Sequence, residues 1–170
     1  VKAVVYHPTA PALLSAAGKQ VAVETPAIQR VLAAGAPVHA LAVPPSATHV
    51  LSAGADKTVS LWNIANGAKE RTFAGAADTV LAVAVSKNNQ LLAAGSADKG
   101  VSVWHAGGKR AMKAPALAAA VTGVALTGDG KHIAEALANG GVQVFDVATG
   151  KPVRAVVSTK TGPSAVAVTP

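Results

Sequence analysis

The chain has 170 residues and a formal net charge of +7, and 51% of its residues are hydrophobic although only 3% are aromatic. It contains no cysteine, which excludes disulfides, thiolate metal sites and a cysteine nucleophile. Recurrent apolar residues argue against disorder, and no uninterrupted apolar run is long enough to predict a membrane-spanning helix. The composition therefore predicts one domain, residues 1–170, with a core of Val, Leu and Ala.

An internal repeat of about forty residues runs along the whole chain. Its first apolar segments align with spacings of 37, 42, 41 and 42 residues, at Val4, Leu41, Val83, Val124 and Val166. A period of this size is typical of a solenoid or propeller unit, which cannot bury its apolar faces alone. The predicted units cover approximately 1–36, 37–79, 80–120 and 121–162, with a partial fifth at 163–170.

Each unit contains short alternating segments separated by turn residues, and unit one is the most eroded. The predicted strands in chain order are 1–8, 13–16 and 21–24; 38–43, 49–53, 58–62 and 69–73; 80–85, 91–95 and 101–104; 121–126, 132–136 and 142–150. In unit two, Asn66-Gly67 is a strong hairpin signal between the last two strands. Four antiparallel strands per forty residues is the content of one propeller blade.

One motif recurs as LSAGADKTVSLW at 51–62 and AAGSADKGVSVW at 93–104, and a related tail, FDVATG, lies at 145–150. These segments resemble the WD40 repeat family. The resemblance implies an all-β, WD40-like β-propeller segment of four four-stranded antiparallel blades plus the first strand of a fifth. Because rings of this family generally have seven or eight blades, we expect half a ring or a fragment of a larger propeller.

The resemblance also assigns structural repeat positions, and some of them depart from the family pattern. The positions are Asp56, Thr58, Trp62, Asp98, Trp104, Phe145 and Asp146. The family's Gly-His pair would fall at Gly75-Ala76, so its histidine is missing, and Glu24 stands where the other units have an aromatic residue. We therefore expect looser packing than in a consensus blade.

Lysine recurs in the turn between the second and third strands, at Lys19, Lys57 and Lys99. In a WD40-like blade this turn lies on one rim, so the three ammonium groups would form an arc that could contact an acidic protein partner. The alternative is that lysine there provides solubility and edge protection. Nucleic acid is disfavoured because the few aromatic residues occupy core positions and cannot act as stacking platforms.

The repeat also predicts which other segments lie on the face of these lysines and which basic residues lie on the opposite face. The connections 76–79 and 114–120 should lie on the same face as these lysines, the second as a linking loop or a weak outer strand. Further basic residues should emerge on the opposite face, at Lys69, Lys109, Arg110 and Lys151. Basic charge is therefore predicted on both faces and not in one groove.

Nothing in the sequence predicts a metal, a cofactor or a catalytic motif. The five histidines lack metal-ligand spacing, and no nucleophile elbow, phosphate-binding loop or dinucleotide fingerprint is present. Glu135 is unusual because it falls on a strand face that should pack against a neighbouring blade. We expect a Lys or Arg partner or water for it, the alternative being a raised pKa with a functional role.

These observations predict a non-catalytic binding or scaffold module that contacts a protein partner through its rim loops. The alternative is a structural half-propeller whose role is assembly, either as a homodimeric ring or within a larger protein. An enzyme domain, with Glu135 or Glu24 as its unusual carboxylate, is the third and least favoured interpretation.

Overall fold

The computed structural model describes residues 3–6, 13–24, 29–114, 117–156 and 166. Within these ranges every regular element is a β-strand, and no helix is long and apolar enough to span a membrane. The strands are β1 (Ala3–Tyr6), β2 (Leu13–Ala17), β3 (Gln20–Glu24), β4 (Gln29–Ala33), β5 (Val38–Ala42), β6 (His49–Gly54), β7 (Thr58–Asn63), β8 (Lys69–Ala74), β9 (Val80–Val85), β10 (Leu91–Ser96), β11 (Val101–His105), β12 (Arg110–Lys113), β13 (Val121–Leu126), β14 (His132–Leu137), β15 (Val142–Asp146) and β16 (Pro152–Val156).

Four consecutive strands form each of four antiparallel sheets, which we call blades 1 to 4. Strand order within each blade follows chain order, so β1, β5, β9 and β13 are the first strands. These first strands contact one another in sequence, β1 with β5, β5 with β9, and β9 with β13. The architecture is a partial β-propeller, as the sequence predicted.

The first strands surround a central cavity of about 250 Å³. The five residues that define the sequence repeat all line it, namely Val4, Leu41, Val83, Val124 and Val166. On the second strands their partners are Ser15, Ser52, Ala94 and Glu135 in blades 1 to 4. The register read from the sequence is therefore the register of the fold, and Val166 joins the four described first strands at the centre.

Three apolar clusters fill the spaces between successive blades. Strand side chains alternate between two faces, so an inner blade buries one set against each neighbour. In β6, for example, Val50 packs toward blade 1, whereas Leu51 and Ala53 pack toward blade 3. All six residues of β10 are buried. Blades therefore depend on their neighbours for a core, as expected of a repeat protein.

The structure differs from the predicted strands mainly in the outer parts of the blades. The strand predicted at 142–150 ends at Asp146, and residues beyond it form a hairpin. The fourth strand of blade 3 is β12, so 114–120 is a connection, whose residues 115–116 lie outside the described part of the chain. Most of the predicted fifth unit, 163–170, also lies outside it.

A β-bulge interrupts the pairing of the third and fourth strands at the aromatic position of blades 2, 3 and 4. The aromatic residues are Trp62, Trp104 and Phe145. In blade 1 the corresponding residue is Glu24, which pairs with Leu13 as Trp62 pairs with Val50, and its side chain is exposed. Because a bulge adds one residue to the outer strand, it changes which fourth-strand side chains face the next blade.

Candidate functional site

One rim of the blades carries the turns between second and third strands and the connections between blades. We call it the lysine face, defined by Lys19, Lys57 and Lys99. Lys57 and Lys99 occupy the same turn position with left-handed backbones, at φ 63° and 67°. The blade 1 turn is one residue shorter, and its left-handed residue is Gly18. Lys19 is the next residue in the same turn.

The lysine face is held by backbone hydrogen bonds between each turn and the connection that enters the blade. The Ala55 N–H donates to the Pro37 carbonyl at 2.9 Å, and the Ala97 N–H donates to the Thr79 carbonyl at 2.9 Å. In blade 4 the Ala138 N–H donates to the carbonyl of Ala120 at 2.8 Å. The loops of this rim are thus fixed by the sheet scaffold beneath them.

Asp98 adds a side-chain clamp to one of these connections. Its carboxylate accepts the N–H of Ala77 in the 75–79 connection and, at 2.8 Å, the N–H of Gly100. Burial opposes ionisation, but the N–H groups of Ala77 and Gly100 and the Ser96 hydroxyl outweigh it and hold the pKa of Asp98 below its usual value. In blade 2, Asp56 instead accepts the Thr58 hydroxyl within its own turn, at 2.8 Å.

Carboxylates on the lysine face offset much of its positive charge. Asp56, Asp78 and Asp98 lie in the same turns and connections as the lysines. Lys57 Nζ also donates to the Ala77 carbonyl at 2.9 Å, although its side chain remains exposed. The arc of lysines predicted from the sequence is therefore interleaved with acids, which weakens the argument for an acidic partner on this face.

The opposite rim carries the hairpins between third and fourth strands, and we call it the hairpin face. A cavity of about 460 Å³ lies there, where blades 3 and 4 meet. Leu91, Ala111, Val147 and Ala148 supply its apolar walls, and its mouth includes His105, Gly130, Lys131 and Asp146. Sequence analysis did not single out this cavity.

At the equivalent place between blades 2 and 3, a polar cluster stands instead. His49 Nε2 lies 2.8 Å from Glu70 Oε2, and Asn63 Nδ2 donates to Glu70 Oε1 at 2.9 Å. The Asn63 and His49 hydrogen bonds hold the pKa of Glu70 below its usual value. By strand register, His49 corresponds to Leu91 in blade 3, Asn63 corresponds to His105, and Glu70 corresponds to Ala111.

A second difference concerns the arginine that reaches across each of the other two interfaces to a carbonyl of the next blade. Arg30 Nη1 donates to the Ala65 carbonyl of blade 2 at 2.6 Å, and Arg71 Nη1 donates to the Gly107 carbonyl of blade 3. The register places Met112 at this position in blade 3, beside Gly150 of blade 4. Methionine has no donor, so the corresponding carbonyl, that of Ala148, receives no such bond from it.

The repeat positions named from the sequence are distributed over cores and turns. Trp62 Nε1 donates to the buried Ser52 hydroxyl at 2.8 Å, whereas the Trp104 ring packs 5.9 Å from that of Phe73. Asp146 Oδ1 accepts the hydroxyl and N–H of Thr149, at 2.7 and 2.8 Å. These hydrogen bonds hold the pKa of Asp146 below its usual value. Phe145 is buried against blade 3.

Glu135 is fully buried, at 0% exposure, between blades 3 and 4. Neither of its carboxyl oxygens has a hydrogen-bond partner among the described residues, so the expected Lys or Arg partner is absent there. Burial raises the pKa of this carboxyl to about 8. No cluster of three or more His, Asp or Glu in the described ranges could hold a metal ion.

Comparison with known proteins agrees with this architecture. The WD domain, G-beta repeat signature matches residues 28–63. The signature of the anaphase-promoting complex subunit 4 WD40 domain matches 83–169, slightly more than half of the chain. The chain belongs to the WD40 repeat family.

Among similar proteins, eukaryotic translation initiation factor 3 subunit I of Aspergillus fumigatus is 36% identical over 84 residues, which are 49% of this chain and 25% of that protein. The Aspergillus niger protein of the same name is 41% identical over 56 residues, covering 33% of this chain and 17% of the relative. The match thus spans about a quarter or less of these relatives. The solved structure of U3-55K superposes on 76% of this chain and 42% of its own with a TM-score of 0.72 and 22% identity, which shows the fold.

Proposed function

We propose that this chain is a non-catalytic binding or scaffold module whose lysine face contacts a protein partner. The main observation in support of this proposal is that hydrogen bonds between turns and connections fix the loops of this face, including those that Asp98 makes to the 75–79 connection. Loops fixed on a sheet scaffold need little ordering on binding, which favours affinity. The similarity to initiation factor 3 subunit I, whose name describes a subunit of a larger factor, supports a role among protein partners.

Charge reversal tests the proposal with a matched control. Lys57→Glu with Lys99→Glu changes the lysine face, and Lys69→Glu with Arg110→Glu makes the same charge change on the hairpin face, outside the residues that line its cavity. All four side chains are exposed, so each pair should alter the free energy of unfolding by less than about 1 kcal/mol. Tagged chains would be purified from cells of the source organism, and bound proteins would be quantified by mass spectrometry.

We expect a reproducible set of bound proteins to fall at least fivefold with the lysine-face pair and to stay within twofold of wild type with the hairpin-face pair. Equal losses with both pairs would indicate nonspecific attraction and contradict the proposal. Loss with the hairpin-face pair alone would move the contact to the opposite rim.

A second candidate function is assembly, because the described strands of both end blades carry exposed side chains on their outward faces. Val4 and Val31 of blade 1 are 54% and 58% exposed, whereas Leu41, the equivalent of Val4 in blade 2, is 8% exposed. In blade 4, Arg154 occupies the position of Arg30 and Arg71 and is exposed, with no further described blade to receive it. These faces would suit another blade, either of a longer chain or of a second copy.

Light scattering coupled to size-exclusion chromatography tests self-assembly. A discrete dimer that dissociates when Val31→Lys and Arg154→Glu are combined would support a ring of two copies. A monomer at all concentrations would exclude self-assembly and leave the binding-module proposal unaffected.

A further inference from the structure

The cavity between blades 3 and 4 is preformed, because backbone hydrogen bonds tie its walls together. The Val147 N–H donates to the Lys131 carbonyl at 2.8 Å, which joins the hairpin wall to the turn before β14. The Ala106 N–H donates to the Gln90 carbonyl at 2.8 Å and ties the opposite wall in the same way. A preformed site avoids part of the ordering cost of binding.

The size and chemistry of the cavity suit apolar side chains. Its volume of about 460 Å³ falls within the 300–1,000 Å³ typical of binding pockets. It exists because Ala111 and Leu91 replace the carboxylate and imidazole that meet in blade 2. The exposed side chains of His105, Lys131 and Ala148 show that it opens to solvent.

Lysines outnumber carboxylates around the mouth. Lys131 lines it, Lys109 and Lys151 accept backbone N–H bonds from the mouth residues His105 and Asp146, and Lys87 lies beside the 128–131 turn. The two carboxylates are those of Asp129 and Asp146, and each is already hydrogen-bonded within its own turn. The mouth therefore favours an anionic ligand over a cationic one.

One wall also offers a main-chain acceptor. The carbonyls equivalent to that of Ala148 receive a guanidinium N–H in the other two interfaces, from Arg30 and from Arg71. Met112 cannot supply that donor here. A ligand with its own N–H groups, such as an extended peptide, has the donor that this interface lacks.

Resting on the proposed role in protein binding, we propose that this cavity docks a short acidic peptide segment of a partner, with one or two apolar side chains inserted between blades 3 and 4. The apolar walls hold the inserted side chains, the lysines attract the flanking carboxylates, and the Ala148 carbonyl accepts a peptide N–H. The site is distinct from the lysine face and lies on the opposite rim.

The test uses the 170-residue chain and a fluorescein-labelled peptide, Glu-Glu-Asp-Leu-Phe-Asp-Glu-Glu. Two comparison peptides replace Leu-Phe with Ser-Ser or replace all six acidic residues with Lys. Fluorescence anisotropy should show binding of the first peptide with a Kd below about 1 mM, at least tenfold tighter than either comparison, and weakening at high salt.

Two variants locate the binding. Ala111→Glu reintroduces at this position the carboxylate that blade 2 has in Glu70, and it should weaken the peptide at least tenfold by filling and charging the pocket. Lys131→Glu, an exposed mouth residue, should weaken it severalfold without altering folding, and Lys57→Glu on the lysine face should leave it unchanged. Thermal unfolding would verify that each variant is folded.

No binding at 1 mM, equal binding of the Lys or Ser peptide, or unchanged affinity with both Ala111→Glu and Lys131→Glu would overturn the proposal. Binding of a uridine hexamer that both variants abolish, without peptide binding, would also overturn it in favour of nucleic acid. If these tests fail but the Lys57 and Lys99 reversals still remove bound proteins, the proposed function stands and only this site is lost.

Discussion

The interface between blades 1 and 2 and the interface between blades 3 and 4 occupy equivalent places in the repeat but treat polar groups differently. In the first, Trp62 donates to buried Ser52, and Arg30 donates to the Ala65 carbonyl. In the second, the register places Phe145 and Glu135 at the positions of Trp62 and Ser52. Phe145 has no donor, and the Glu135 carboxyl lacks a partner in the described structure.

In blade 2 the indole N–H and the serine hydroxyl satisfy each other, so a change of either one would leave the other without its partner. Leaving a buried polar group without a partner costs about 1–3 kcal/mol, more for a charged one. The interface between blades 3 and 4 carries an unpaired carboxyl at its centre and, on the hairpin face, an open cavity. The same fold thus contains one well-satisfied interface and one that combines a stability cost with an accessible pocket.

Removing the unpaired carboxyl should give the largest effect. Glu135→Leu replaces a buried acid, whose pKa is raised to about 8, with an apolar side chain in an apolar cluster. As pH rises from about 4.5 to 8, the unfolded chain releases the Glu135 proton before the folded chain does. The free energy of unfolding of the wild-type chain is therefore highest below pH 4.5, where Glu135 is protonated in both states. It falls as pH rises to 8, by about 1.4 kcal/mol per pH unit and by no more than about 5 kcal/mol in total.

Urea unfolding at pH 5 and pH 8 measures it, with the difference between wild type and Glu135→Leu compared at the two pH values. The advantage of the variant should be larger by several kcal/mol at pH 8. Glu24→Leu, at an exposed strand end, serves as the control and should change stability by less than about 1 kcal/mol. An equal Glu135→Leu effect at both pH values would show that the carboxyl is solvated or paired in solution.

Making blade 2 resemble blade 4 should give the next largest effect. Trp62→Phe removes the indole N–H and leaves the buried Ser52 hydroxyl without its donor, which should cost about 2 kcal/mol. Adding Ser52→Ala should recover part of that loss, because the unsatisfied hydroxyl is then removed. A double-mutant cycle by chemical unfolding measures the coupling. Additive effects of the two substitutions would refute the pair as a stabilising unit.

Exchanging the arginine and methionine of the two interfaces should give the smallest effect. Arg30→Met removes a partly exposed hydrogen bond and should cost about 1 kcal/mol or less. Met112→Arg should place a donor within reach of the Ala148 carbonyl, but it also removes a buried methionine from the apolar cluster, so stability should change by less than about 1 kcal/mol. Thermal unfolding measures both. A loss of several kcal/mol with Met112→Arg would show that the outer strand of blade 3 does not direct this side chain as blades 1 and 2 do.

The sequence predicted the propeller architecture because its main signals are local. Alternating residues and turn signals define strands, and a fixed period places Val4, Leu41, Val83 and Val124 in one register. The sequence could not show that the turn carrying Lys19 is one residue shorter than the turns of Lys57 and Lys99, because turn length is set by strand pairing, which repeat alignment does not measure. A Lys or Arg partner for Glu135 is absent among the described residues, and the sequence could not show this because such partners come from other strands and other blades.

The cavity could not have been predicted for a related reason. It depends on which fourth-strand residue faces the next blade, and the bulges at Trp62, Trp104 and Phe145 shift that assignment by one residue. Without the strand pairing, Glu70 and Ala111 do not align as equivalents, because the hairpin between Trp104 and Arg110 is one residue shorter than the hairpin between Trp62 and Lys69. Comparison of the three interfaces, in contrast, shows directly where blade 3 lacks the carboxylate and the arginine of blade 2.

By itself, the sequence determined the fold class, the repeat register and the exclusion of disulfides, because these depend on residue identity and periodicity along one chain. The tertiary structure alone decided which polar groups are paired, how charge is distributed over each rim, and where the blades leave a pocket. Those properties depend on contacts between residues about forty positions apart, whose geometry is set by sheet pairing and blade packing.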